Sequence, residues 1–276
     1  MKKNNLIFAV FAASCFLSGL FLSCGGSSSS ARQIEVWDFG GVEEEGAVNK
    51  ISISDLDSIS DETLAQDGKF KKGDIQFGDL ILNTENNDRA YYGDEGVGKK
   101  NYGTQGYAST QFDDGYTSNG MYYANGKGGE NRRYVVLEHV FAGDVISFYA
   151  RTSNAGDETI HFASVDEEKT EPKEGEGANP RAFVKNNVQD ETAPLNAEAQ
   201  KYTYIAISDG TYKIYADSAV GKPVFFRVVR TPGVLYSGKI GGASGGSLSF
   251  IVKETNQEIS AKINGSKWQA GLPAGY

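Results

Sequence analysis

Seven short segments alternate at period two, and that alternation constrains the fold more than any other feature. They are "IEVWDF" (Ile34–Phe39), "RYVVLEHV" (Arg133–Val140), "DVISFYA" (Asp144–Ala150), "TIHFASV" (Thr159–Val165), "KYTYIAI" (Lys201–Ile207), "TYKIYA" (Thr211–Ala216) and "VFFRVVR" (Val224–Arg230). Each is β-branched or aromatic, and turn residues such as "AGD", "SDG" and "VGKP" separate them. Successive side chains of a strand point to opposite faces, so such segments bury one face and wet the other. The expected fold is all-β, an antiparallel β-sandwich of jelly-roll type. One stretch, "SISDLDSISDETLAQDG", has helical character, too short to carry a fold. With 34 glycines and six prolines in 276 residues, turns are many and long helices few.

The N-terminus reads as a targeting segment. Lys2 and Lys3 precede an apolar run from Leu6 to Leu22, which ends in Phe21-Leu22-Ser23-Cys24 and a Gly/Ser tract. A small residue before a cysteine after such a run resembles a bacterial lipoprotein signal, in which the cysteine is lipidated. Residues 1–23 are then the signal peptide, Cys24 the lipid carrier, and residues 24–31 a Gly/Ser linker; Cys15, inside the apolar run, is the weaker alternative, and an uncleaved anchor and ordinary secretion are the competing readings. Gly25 follows the cysteine in place of an aspartate retention signal, so in a two-membrane cell the expected location is the outer membrane or the cell surface. The two cysteines, Cys15 and Cys24, both lie in this region, which leaves the remainder without a disulfide framework or a thiol nucleophile.

Without Lys2 and Lys3 the chain keeps 25 basic against 36 acidic side chains, a net charge of −11. A surface of that sign disfavours nucleic acid and anionic membrane. A neutral partner, or one bridged by cations, fits better.

Residues 32–232 are the expected sandwich, and residues 233–276 the start of a second, smaller one. Within the first, Ser164–Gln200 is charged and poor in apolar residues and reads as a long surface loop. After "RTPG" the texture changes to "VLYSGKIGG", "GSLSFIVKETNQEISAKING" and "KWQAGLPAGY", with a hairpin turn at "KETNQE".

Two resemblances rest on quoted residues. "SLSFIVKETNQEISAKINGSKWQAGLPAGY" resembles the start of a transthyretin-like or carboxypeptidase-regulatory-like sandwich, which implies that the chain is a piece of a longer protein. "VWDFGGV", "KFKKGDIQFGDL", "RAYYG", "YASTQFDDGYTSNGMYYANGKGG" and "AGDVISFYARTSN" are similar to the N-terminal non-catalytic β-sandwich of multimodular bacterial pectin-acting enzymes, the pectate lyases and pectinesterases. That resemblance implies a carbohydrate-associated module ahead of a catalytic domain, with a pectin-like polysaccharide as partner and no catalysis in this chain.

The Gly115–Gly129 stretch, "GYTSNGMYYANGKGG", is too glycine-rich for a helix and reads as too polar for a core strand. An outward tyrosine stacks on the C–H face of a sugar, amides read hydroxyls as donor and acceptor at once, and glycine lets backbone approach a ligand. Tyr107, Tyr116, Asn119, Tyr122, Tyr123 and Asn125 are therefore the candidate carbohydrate-binding residues, with Tyr91, Tyr92 and Tyr102 upstream. Alternation allows only one of Tyr122 and Tyr123 to face outward. The competing reading makes these tyrosines packing residues of a structural or interaction lipoprotein.

Trp37, in an alternating strand, is expected in the core, as is Trp268 in the second module. Asp88, Asp94, Asp113 and Asp114 lie in oxygen-rich loops of the kind that hold calcium, although their spacing matches no defined loop motif and the alternative is a solvated acidic loop. No cofactor is otherwise implied. His139 and His161 are the two histidines, and neither HExxH nor GxSxG occurs. A hydrolase or lyase acting through a pair of carboxylates is a third reading, with nothing to single out the pair.

Overall fold

The computed structural model describes residues 32–58, 70–92, 109–153, 158–168, 181–217, 221–240, 246–253, 259–263 and 266–267. In chain order the first elements are β1 (Glu35–Asp38), β2 (Val48–Asn49), helix α1 (Ile53–Ser58), β3 (Gly73–Phe77), β4 (Leu80–Thr84), β5 (Arg89–Tyr91), β6 (Thr110–Gln111), β7 (Thr117–Ser118) and β8 (Met121–Tyr123). The long strands follow: β9 (Tyr134–Val140), β10 (Val145–Thr152), β11 (Glu158–Glu168), β12 (Ala182–Leu195), β13 (Gln200–Ile205), β14 (Gly210–Asp217) and β15 (Pro223–Thr231). The chain continues into β16 (Gly233–Ile240), β17 (Gly246–Lys253), β18 (Ile259–Ile263) and β19 (Ser266–Lys267).

These strands form an antiparallel β-sandwich. One sheet runs β13–β10–β15–β1–β2, with β8 and then β5 added beside the first half of β15. The other runs β12–β11–β14–β9–β4–β3. Only the short β1–β2 pair within the two sheets is parallel. β16–β17–β18–β19 form an antiparallel sheet of their own, and β6–β7 a small hairpin.

Period-two alternation places the core. In β10, Ile146, Phe148 and Ala150 point inward; in β14, Tyr212, Ile214 and Ala216 do; in β9, Val135 and Leu137. Together with Trp37, Phe39, Phe162, Tyr122 and Phe225 they make one continuous buried cluster. Trp37 is fully buried, as its strand pattern implies, and its indole Nε1 donates to the Phe77 carbonyl at 2.7 Å. The hydrogen bond lets the largest aromatic enter the core without an orphaned N–H, tying the two sheets together.

Two expectations about local structure are corrected. Ser164–Gln200 is not one long loop: β11 runs on to Glu168, and the 14-residue β12 pairs with it on the sheet edge. An edge strand facing solvent needs few apolar residues, because its backbone ladder supplies the pairing. A register break opposite Ala163–Val165 leaves Asn186–Gln189 as a bulge on that edge. The Gly115–Gly129 stretch does contain a core-forming strand, β8, whose middle residue Tyr122 is wholly buried.

The outer face of the second sheet carries a smaller cluster of Ile81, Tyr134, Val136, Val165, Phe183 and Tyr215. Lys213 lies among these residues at 1% exposure. Its Nζ donates to the Glu130 carbonyl at 3.0 Å and to the Phe183 carbonyl, with the Tyr134 ring 4.7 Å away. Burial pulls the Lys213 ammonium down to about 8; the Glu130 charge opposes this and the Lys185 charge adds to it. The native state thus holds this proton less tightly than the unfolded chain does. Between about pH 8 and the ordinary lysine value near 10.5, stability therefore rises with pH. Chemical denaturation of wild type and Lys213→Met across that window should show a rise on the order of 3 kcal/mol in the wild type relative to the variant. Parallel pH profiles would show that Lys213 is not depressed.

Candidate functional site

β8 decides what the tyrosine-rich stretch can do. Gly40 and Gly120 pack backbone against backbone: a Cβ on Gly40 would meet the Gly120 nitrogen at 2.3 Å, and one on Gly120 would meet the Tyr91 carbonyl oxygen at 2.5 Å. Only glycine permits that approach. From there the strand sends Tyr122 inward and Met121 and Tyr123 outward.

The Tyr122 hydroxyl donates to Asp88 Oδ2 at 2.7 Å and lies 3.2 Å from the Asn83 carbonyl. Burial, reinforced by the Asp88 charge, pushes its phenol far above the usual range. Tyr122 is therefore a packing residue and not a sugar platform, which corrects the sequence-based assignment. Asp88 is itself fully buried. Its Oδ1 accepts from the Asn125 backbone N–H at 2.8 Å and from Arg133 Nε at 2.9 Å, and its Oδ2 also accepts from the Glu85 backbone N–H at 2.8 Å. With its oxygens taken by donors, Asp88 is a structural anchor and is corrected as a calcium ligand.

Tyr116 is partly exposed, but its ring and hydroxyl are engaged by the protein's own side chains. Its ring stacks on Phe112 at 5.3 Å and meets Tyr149 edge-on at 4.8 Å, and the Arg227 guanidinium lies 4.3 Å from its centroid. Its hydroxyl donates to Asp38 Oδ2 at 2.6 Å. Burial raises the Asp38 carboxyl, while the Tyr116 hydroxyl and Arg227 pull it back. Asn119 is exposed, but it precedes β8 while Asn125 follows it, so the two amides lie at opposite ends of the strand.

Asp113 is exposed. Asp114 accepts from Tyr149 Oη at 2.7 Å and Lys201 Nζ at 2.9 Å. Tyr107, Asp94 and Cys24 lie outside the described residues. Among the described residues, no group of three or more His, Cys, Asp or Glu side chains is placed to share a metal ion. His139 and His161 each pair with an aspartate, Asp79 at 3.1 Å and Asp190 at 3.0 Å.

What the structure does bring together is the outer face of the first sheet at its β5–β8 end. Arg89 lies directly opposite Tyr123, Tyr123 opposite Val224, and Val224 opposite Arg151. These four side chains share one face in a row across β5, β8, β15 and β10. Directly paired side chains in such a row have Cβ atoms about 5 Å apart. Tyr91 meets Tyr123 edge-on with centroids 6.4 Å apart, and both rings are partly exposed. Lys222 sets its ammonium 5.9 Å from the Tyr123 centroid and donates to Asn125 Oδ1 at 3.0 Å. Tyr123 and Asn125, two of the proposed sugar-binding residues, are thus joined through Lys222. Beneath them a second aromatic patch, Phe112, Tyr149 and Phe226, fills the same face. A bulge opposite Tyr149–Ala150 makes Phe226 an extra residue in β15, and this puts Phe226 and Arg227 on the outer side in succession.

Sequence reasoning missed Arg89, Arg151 and Lys222. "RAY" does alternate, so Arg89 and Tyr91 were recoverable as one face; the register that sets Arg89 against Tyr123 was not.

No protein-family model and no curated protein matches the chain. Among solved structures, the C-terminal CBM6 of LamC, a marine laminarinase from Zobellia galactanivorans, is similar at 13% identity over 53% of this chain and 100% of that one, with a TM-score of 0.23. A CBM4 structure is similar at 14% identity over 52% of this chain and 81% of that one, with a TM-score of 0.22. A family two carbohydrate esterase from Cellvibrio japonicus is similar at 13% identity over 54% of this chain and 32% of that one, with a TM-score of 0.18. Likenesses this weak fix no ligand, and the fold is taken from the chain's own strands.

The geometry separates two tyrosines that sequence could not. Tyr122→Ala should cost about 3–5 kcal/mol of stability, as for other large aromatic truncations in a core. Tyr123→Ala should cost less than about 1 kcal/mol, since its ring is partly in water. Asp88→Asn should cost about 3–5 kcal/mol by stranding the buried Arg133 charge. Urea denaturation of the three variants checks the order, and equal losses for Tyr122→Ala and Tyr123→Ala would contradict it.

Proposed function

We propose that this chain is an exported surface protein, anchored by a lipid on Cys24, whose β-sandwich is a non-catalytic polysaccharide-binding module. The observation that carries the reading is the pair of partly exposed rings, Tyr91 and Tyr123, set on a sheet face beside the Asn125 amide and Lys222. A tyrosine presented from a strand is a rigid apolar platform for a sugar ring, and ordering it costs little entropy. The amide and ammonium beside it supply hydrogen bonds to hydroxyls. The finer reading, an accessory role beside a pectin-acting catalytic domain, rests on the sequence resemblance of "WDFGG", "RAYYG" and the Gly115–Gly129 stretch. The packing reading holds for Tyr122 and Tyr116, whose hydroxyls are both spent on buried carboxylates.

Affinity electrophoresis of the mature chain against pectin, galactan and β-glucan tests the proposal. Tyr123→Ala and Tyr91→Ala should each weaken retardation by roughly tenfold, equivalent to about 1.4 kcal/mol for a lost stack, with the fold intact. Retardation unchanged in both variants, or absent in wild type for every glycan, overturns it. The anchor is tested separately. A fatty-acid analogue should label wild type and not Cys24→Ala, and labelling of the variant would remove Cys24 from the proposal.

A further inference from the structure

We infer that the Tyr91–Tyr123 face takes a glycan bearing oxyanions, carboxylate or sulfate, held directly by Arg89 and Lys222 without a bridging cation. The inference rests on the polysaccharide-binding reading and names the chemical class that the same face selects.

Several cations of the described sandwich are matched to carboxylates, while the buried Lys213 is met by backbone carbonyls. Lys50 pairs with Glu35 at 2.6 Å, Arg133 with Asp88 at 2.9 Å, Arg181 with Glu138 at 2.6 Å and Lys201 with Asp114 at 2.9 Å. Arg227 reaches both Asp38 and Glu44. Arg89 departs from this pattern. Among the described residues it has no carboxylate within ion-pair distance, and its Nε is buried without a hydrogen-bond partner. Lys222 donates to a neutral amide, Asn125 Oδ1, and to no carboxylate among the described residues. These two cations lie on either side of one ring: Arg89 is the direct cross-strand neighbour of Tyr123, and Lys222 approaches its face.

A buried guanidinium N–H left without an acceptor, as Arg89 Nε is, is destabilising, since that one group has given up water without replacement. An oxyanion placed at Arg89 would restore that loss, and the guanidinium fork matches the two oxygens of a carboxylate or sulfate. Arg89 and Tyr123 sit on strands one spacing apart, about 4.8 Å, so a substituent on a sugar ring stacked on Tyr123 is directed toward the reach of the Arg89 side chain. The acidic total of the chain does not oppose this. Charges farther away than about 8 Å are largely screened at physiological ionic strength, so contact is governed by the local pair of cations.

The experiment uses the mature full chain and three probes: polygalacturonate, dextran sulfate and neutral dextran or galactan, each with and without EDTA and at low and high salt. Polyanions should be retained over neutral glycans, with binding unaffected by EDTA and weakened by salt. Retention of polygalacturonate alone would assign the site to uronic carboxylates, and retention of dextran sulfate as well to oxyanions in general. Arg89→Gln and Lys222→Gln should each weaken polyanion binding by about tenfold and leave neutral glycans as they were. Arg89→Lys should retain part of the binding; this variant and Lys222→Gln carry the test if Arg89→Gln does not fold. If both charge variants bind polyanions as wild type does, if EDTA abolishes binding, or if neutral glycans are preferred, the inference is wrong. Where Tyr123→Ala still weakens glycan binding in those cases, the polysaccharide reading stands without it; where Tyr123→Ala has no effect on any glycan, that reading falls as well.

Discussion

The carboxylate of Asp88 is the point on which the candidate face depends. It accepts hydrogen bonds from the Glu85 and Asn125 backbone, from the Tyr122 hydroxyl and from Arg133 Nε. Those donors belong to the β4–β5 turn, to β8 and to the connection from β8 to β9. A buried ion pair is costly to desolvate, and it becomes tolerable when each lone pair is met, as here. The same knot holds two non-glycine residues in left-handed backbone, Asn87 at φ 75° and Arg133 at φ 55°, a conformation that persists only where surroundings enforce it. Because Tyr122 is pinned from within, Tyr123 is fixed from without. The two neighbours serve opposite faces of one strand, and the outward ring inherits its position from the inward one.

The knot also shapes a polar cleft among the described residues. A hollow of about 550 Å³ is lined by Lys72, Glu85, Glu130, Arg132, Arg133 and Asp217 among others. Its charges alternate in sign, Lys72 is already 3.3 Å from Glu85, and no aromatic ring lines it. The Tyr123 end of the sheet face differs: it has rings, and Arg89 and Lys222 have no carboxylate within ion-pair distance among the described residues. Net charge, read from composition, points toward a neutral partner or one bridged by cations. The local arrangement around Tyr123 points the other way, because ligand contact is decided within a few ångströms.

Much of the sandwich was legible as alternation. "DVISFYA" and "TYKIYA" became β10 and β14 with alternate residues inward, and Trp37 went to the core. β12 was not legible, since "AFVKNNVQDETAPL" is an edge strand whose partner is backbone and whose side chains are mostly wet. β8 was hidden by the glycines around it; Gly120 serves the Gly40–Gly120 contact, and none of them argues against a strand three residues long. Residue types in the Gly115–Gly129 stretch suggested a sugar site. They could not tell Tyr122 from Tyr123, nor bring Arg89 and Lys222 beside it, because both facts belong to register and not to composition.

The most direct test of this account is where a glycan touches the molecule. Backbone amide NMR shifts of the mature chain, titrated with an oligogalacturonate, report contact residue by residue. The account predicts that the largest shifts cluster at Arg89, Tyr91, Tyr123, Asn125 and Lys222, with Tyr116 and Asn119 little changed. Shifts centred on the cleft at Lys72, Glu130 and Asp217, or spread evenly over the surface, would contradict it.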